Sequence, residues 1–187
     1  AAPANDKLPP DAAGAAAALK ASSRHQEWVD VALPGSATKI KTFIVYPERR
    51  DKAPVVLVIH EIFGLTDWVR GVADQLAKQG FIAVAPDLLS GMGPNGTGSP
   101  ELGEQQSPQG IRNLTPQDAV ARLNPVRDYA LKLSSANGKS ASIGFCWGGT
   151  ASFNYAVSQP QLDAAVVYYG TSPSDPSAYQ SLKAPVL

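Results

Sequence analysis

The stretch Ser142-Ile143-Gly144-Phe145-Cys146-Trp147-Gly148-Gly149 constrains this chain more than any other. A strand-like run, Lys139 to Ile143, leads into it, and a helix-like run, Thr150 to Ser158, leads out. It holds the only cysteine of the 187 residues. Small residues two before and two after the cysteine give G-x-C-x-G, the nucleophile-elbow pattern with sulfur in place of the serine oxygen. A chain that turns this sharply from strand to helix forces its central residue into a strained backbone region. Side chains at Gly144 and Gly148 would collide across the turn. The thiol should stand above the strand ends, at the positive end of a helix, where the thiolate is favoured. A lone cysteine is otherwise a small buried hydrophobe, and glycine-rich strand-to-helix turns also serve nucleotide-binding folds. The match on both flanks, between a strand pattern and a helix pattern, favours a nucleophile.

The chain around the elbow reads as alternating strands and helices. Asp11 to Ser23 is Ala-rich and suits either a helix, weakened at Gly14, or a loosely held arm. Gln26 to Leu33 and Ile40 to Tyr46 are β-prone and joined by the turn residues Pro34-Gly35-Ser36, which predicts an antiparallel hairpin. Val55 to Ile59 is continuously apolar, as in a central strand covered on both faces. Trp68 to Gln79 carries apolar residues at helical spacing, with Asp67 as candidate N-cap and Gly80 as stop. Phe81 to Ala85 completes a right-handed β-α-β unit. Asp87 to Leu114, rich in Gly, Pro, Ser and Asn, reads as a long loop forming either an active-site wall or lid or a mobile insertion. Thr115 to Leu133 reads as a helix that Pro125 should kink or restart. A strand at Ala164 to Tyr169 follows the elbow helix, and Ala184-Pro185-Val186-Leu187 looks like the start of another. The order predicts an α/β sandwich with a mostly parallel sheet and an antiparallel edge.

Composition excludes several classes. Sixteen Lys and Arg balance sixteen Asp and Glu, with no basic run, so nothing points to nucleic acid. No apolar stretch approaches a membrane span. One cysteine rules out an intramolecular disulfide and a cysteine zinc cluster. Two histidines, His25 and His60, make a multi-histidine metal site unexpected. The elbow glycines do not give G-x-G-x-x-G, and no metal or other cofactor is expected. The first residue is Ala, and Ala1 to Gly14 is rich in Ala, Pro and Asp. That suits an exported protein, periplasmic or secreted, after removal of a signal peptide; otherwise the protein is cytoplasmic. No sequence feature speaks to the oligomeric state.

Cysteine-based ester cleavage needs a thiolate, oxyanion donors, a proton shuttle and a group to orient the shuttle. The elbow supplies Cys146 and the N–H of Trp147. The second donor normally comes from the loop after the third strand, here His60-Glu61-Ile62-Phe63-Gly64. Ile62 N–H is the first candidate and Phe63 the second. Glu61, at the C-terminal edge of a central strand, is placed either to accept the thiol proton or to cap the next helix. His60 should point the opposite way and brace the loop.

At this point the residues resemble a known family. G-F-C-W-G-G at 144–149, V-I-H-E-I-F-G-L at 58–65 and A-P-D-L-L at 85–89 look like dienelactone hydrolase, or carboxymethylenebutenolidase, from about Gln26 onward. The resemblance implies an α/β-hydrolase fold, a three-layer sandwich, acting on a lactone or small ester. It implies Cys146 as nucleophile, Glu61 as holder of the thiol proton, and oxyanion donors at Ile62 and Trp147. The expected division is an arm at 1–25 and a partial hydrolase domain at 26–187. The family's triad Asp and His lie on later loops. No histidine follows Cys146, and Asp163 and Asp175 come too early. The sequence therefore looks like roughly the first three quarters of a member, missing its last strands and helices. Members that cleave dienelactone carry an arginine soon after P-D-L; here that region is Ser90-Gly91-Met92-Gly93, and the next arginine is Arg112. The alternative to an enzyme is a non-catalytic or redox-sensing thiol protein of the same fold.

Overall fold

A computed structural model describes residues 8–187. The first seven residues of the expected arm lie outside the described residues. The described ones form α1 (Ala12–Ala21), β1 (Gln26–Ala32), β2 (Lys39–Val45), β3 (Ala53–Ile59), α2 (Asp67–Lys78), β4 (Ile82–Pro86), α3 (Ser99–Asn113), α4 (Pro116–Leu131), β5 (Ala136–Phe145), α5 (Trp147–Ser158) and β6 (Ala164–Tyr168). The sheet order is β1-β2-β4-β3-β5-β6. The β1–β2 hairpin is antiparallel and joins the rest through an antiparallel β2–β4 pair; β4, β3, β5 and β6 run parallel.

Alternation along the central strands explains the three layers. Val55, Leu57 and Ile59 of β3, with Ile82 and Val84 of β4, face a core that includes Leu123, Val126, Ala151 and Tyr155 of α4 and α5. Val58, Ala83 and Ala85 face the opposite core, with Val69, Val72 and Ala73 of α2 and Leu19 of α1. Both faces are therefore apolar, which is why these strands read as unbroken hydrophobic runs. Each fully buried Leu or Val, such as Leu123, contributes about 1.5–3 kcal/mol.

The Ala-rich segment is a helix docked on α2. Ala15 and Leu19 are buried, and Asp74 of α2 accepts from Ser22 and pairs with Arg24 at 2.5 Å. Asp11 caps α1 through Gly14 N–H.

Three local expectations are corrected. Thr66, not Asp67, caps α2 with its side chain, and Asp67 instead pairs with Arg70 one turn on. The segment expected to be a loop from Asp87 to Leu114 contains a short 3-10 turn at Pro94–Gly96 and the fifteen-residue α3, bent where Gly103 takes φ 63°. Its Pro, Gly and Gln content hid the helix, which is held instead by Asp87, whose carboxylate accepts from Ser99 N–H and Ser99 Oγ–H. Pro125 does not restart α4; one helix runs from Pro116 to Leu131, started by a reciprocal Thr115–Asp118 cap. At the far edge, the expected further strand begins: Val186 bridges Ala165 in parallel, and Leu187 exchanges hydrogen bonds with Ala165 and Val167.

Candidate active site

Parallel pairing puts the C-terminal ends of β3, β5 and β6 side by side. Ile59 pairs with Gly144, and Phe145 with Tyr168, so Glu61, Cys146 and Tyr169 leave the sheet at neighbouring positions on one edge. Ligands in open α/β sheets bind at this edge.

Cys146 occupies the junction of β5 and α5 with φ 57° and ψ −121°. A non-glycine residue adopts positive φ only where the surrounding structure demands it. The demand comes from close backbone approach. A Cβ at Gly144 would lie 1.9 Å from the Gly148 carbonyl oxygen. That is the contact across the turn that the sequence suggested for Gly144; a Cβ at Gly148 would instead meet the carbonyl oxygens of Ile59 and His60, both at 2.4 Å, so this second glycine clears the end of β3. Gly149 clears the Tyr168 carbonyl in the same way, 2.6 Å from where its Cβ would be. Cys146 N–H donates to the Tyr168 carbonyl at 3.0 Å, which ties the elbow to β6. The helix begins immediately afterwards, so Trp147 is its first residue and its N–H has no intrahelical acceptor. The thiol is partly exposed.

The loop after β3 faces the elbow across this contact. A tight turn, closed by Gly64 N–H on the Glu61 carbonyl, carries Ile62 and Phe63 at its tip. Ile62 packs inward against the core, while Phe63 is exposed. His60 is fully buried and has both ring nitrogens occupied. Its Nε2 accepts from Leu88 N–H at 3.1 Å, which fixes the proton on Nδ1, and Nδ1–H donates to the Glu61 carbonyl at 2.7 Å. Burial pushes its pKa down, with the nearby Asp87 charge opposing, so the ring is neutral. Trp147 stacks on it, centroids 5.9 Å apart. His60 is thus the loop brace and not a shuttle. His25, the other histidine, is exposed on the approach to β1, 3.6 Å from Glu27.

Glu61 does not cap α2, since Thr66 does. Its Oε1 accepts from the hydroxyl of Tyr169 at 3.1 Å. Tyr169 is the site residue that sequence reasoning missed. It sits at φ 41° directly after β6. Desolvation, then the charge and hydrogen bond of the Glu61 carboxylate, with Cys146 contributing, push the phenol up to about 12. The only available signal was the Tyr168-Tyr169-Gly170 run at the end of the strand after the elbow. Among the described residues, no cluster of three or more His, Cys, Asp or Glu is arranged to hold a metal ion, and no helix is long and apolar enough to cross a membrane.

The arrangement combines a strained, partly exposed thiol at a helix N-terminus with a carboxylate and a phenol on the same edge of the sheet. A relative from Escherichia coli (strain K12) is 34% identical over 158 residues, covering 82% of this chain and 56% of its own. Carboxymethylenebutenolidase 1 of Cupriavidus pinatubonensis is 33% identical over 123 residues, covering 64% of this chain and 52% of its own. The chain therefore spans about half the length of these curated relatives. The crystal structure of a dienelactone hydrolase from Anabaena variabilis superposes with a TM-score of 0.67 at 22% identity, covering 88% of this chain and 72% of the other, which shows a shared α/β-hydrolase fold. Residues 40–187 match the family model described as the dienelactone hydrolase family, and the chain belongs to that family.

Proposed function

We propose that the protein is a carboxylic ester hydrolase that opens a lactone or small ester through a thioester on Cys146. The observation that carries this reading is the backbone of Cys146, φ 57° and ψ −121° between β5 and α5, beside Glu61 and Tyr169. In the proposed reaction Glu61 takes the thiol proton and the sulfur attacks the acyl carbon. The carbonyl electron pair moves to oxygen, where the N–H groups of Trp147 and Ile62 receive it. Collapse breaks the C–O bond, and the leaving alkoxide takes up a proton; in a lactone it stays tethered. Water then hydrolyses the thioester and regenerates the thiol.

Neither histidine of these 187 residues is placed to carry the protons. Unassisted proton transfer slows such reactions by typically ~10²–10⁴. These residues alone should therefore acylate faster than they turn over. The test is hydrolysis of a p-nitrophenyl ester by wild type and Cys146→Ala, with intact mass spectrometry of the acylated protein. A mass increment that depends on Cys146 is expected. Equal hydrolysis by both proteins, with no adduct, would remove the enzyme reading and leave a thiol-based binding or redox role.

A further inference from the structure

Next to the elbow, at Glu61 and Tyr169, lies a depression longer than a small lactone needs. A cavity of about 600 Å³ lies beside Glu61 and Tyr169, with Phe63, Asp11 and Glu104 among its walls. A second, of about 290 Å³, continues beyond Phe63 to Trp28 and Arg70. Both are lined by Phe63, Thr66, Asp67 and Glu104, so they are two halves of one trough. It runs from the carboxylate and phenol beside the thiol, past the oxyanion loop, to the first strand of the sheet.

Three large aromatic side chains lie along it with much of their surface open: Tyr169 is 67% exposed, Phe63 41% and Trp28 44%. Trp28 is nonetheless held in place. Its ring packs on Phe43 at 5.1 Å and carries the Arg70 guanidinium 5.5 Å from its centroid. Fixed, half-exposed rings offer faces for stacking at little ordering cost.

The charge of the walls is one-sided. Asp11, Glu61, Asp67 and Glu104 outnumber the two cations nearby, Arg70, which is already bonded to Asp67, and Lys41, whose ammonium lies 5.4 Å from the Trp28 centroid at the far end. A cleft lined by one sign of charge repels like charge more strongly than an open surface does.

We propose that this trough receives an uncharged, extended aromatic arm of the ester or lactone, and that it turns away the same arm bearing a carboxylate. The proposal rests on the ester-hydrolase reading of Cys146, but binding alone can test it. The Cys146→Ala protein, which should not consume ester, is titrated calorimetrically with 2-naphthyl acetate, its 6-carboxylate analogue and the short phenyl acetate. The uncharged naphthyl ester should bind roughly tenfold or more tighter than its carboxylate analogue. Adding Trp28→Ala should weaken the naphthyl ester roughly three- to tenfold and leave phenyl acetate unchanged. Glu104→Gln, on the exposed face of α3, should narrow the gap between the neutral and anionic probes without touching any core contact. Equal or tighter binding of the carboxylate, or indifference to both substitutions, would overturn the proposal. Because no turnover is measured, failure of Cys146 chemistry would leave this result standing, and failure here would leave that chemistry standing.

Discussion

Two adjacent non-glycine residues in space, Cys146 at φ 57° and Tyr169 at φ 41°, hold left-handed backbone conformations at the same edge of the sheet. Each such residue costs of order 1–3 kcal/mol, and their closeness marks the site more sharply than either motif alone. Removing the hydroxyl with Tyr169→Phe keeps the ring and frees Glu61. Melting temperature should hardly move, while the rate at which a p-nitrophenyl ester acylates Cys146 should rise, because the carboxylate no longer shares a lone pair with the phenol; an unchanged rate would mean the contact is idle. His60 gives a separate test. Its folded-state pKa is depressed by burial, so the unfolded chain binds the extra proton first. Stability should be full above about pH 6.5 and fall by up to about 1.4 kcal/mol per pH unit below it, levelling once pH passes the folded pKa. Urea melts at pH 7.5 and 5.5 check this, and His60→Gln should flatten the difference. The placement of Cys146 and Glu61 at one edge of the sheet was legible in the sequence because each lies in a local motif. Tyr169 was not, because only the placement of β6 next to β5 brings it to Glu61, and that neighbourhood is written nowhere in the local pattern.

Among the elements, α3 differs most from its sequence. Nothing in Ser99-Pro100-Glu101-Leu102-Gly103 shows helical periodicity, since its stability comes from outside it. Asp87, at the end of β4, accepts from Leu89 N–H, Ser99 N–H and Ser99 Oγ–H, and Ser99 Oγ in turn accepts from Leu65 N–H. One buried carboxylate thus links the entry of α3 to the loop that carries Ile62. Asp87→Ala should cost about 2–4 kcal/mol, the range expected when several buried donors lose a charged acceptor. Hydrogen exchange should speed up at Leu65, Leu89 and Ser99 before it does in β3; protection lost evenly across the sheet would contradict this. The elbow helix is the opposite case. Its boundaries followed from glycines whose spacing is dictated by contact, and Gly148→Ala, with a Cβ 2.4 Å from two carbonyl oxygens, should prevent native docking of α5 on β3. Hairpin, central strands and α2 were equally readable, because burial on one or both faces stamps a period on the residues. A helix tethered by a distant side chain leaves no such period.

For the molecule as a whole, the asymmetry of the sheet matters most. One flank is the antiparallel β1–β2 hairpin and the other the parallel β5–β6 pair, and β1 presents an open edge on which Trp28 and Asp30 are exposed. Unpaired edges of this kind template further pairing. On β1 the exposed Asp30 blunts such pairing, so Asp30→Val should make the sedimentation coefficient climb with concentration more steeply than in wild type; equal behaviour of the two would refute this.

The lone cysteine also makes the molecule its own gauge. Cys146 can hold its conformation only while β3, β5, β6 and the first turn of α5 press together, since each of the three surrounding glycines is in backbone contact with a different segment. Any partial opening of these parts changes how fast a thiol reagent reaches that one sulfur. A single labelling rate, followed against denaturant, would therefore report the integrity of the joint between four elements without any introduced probe.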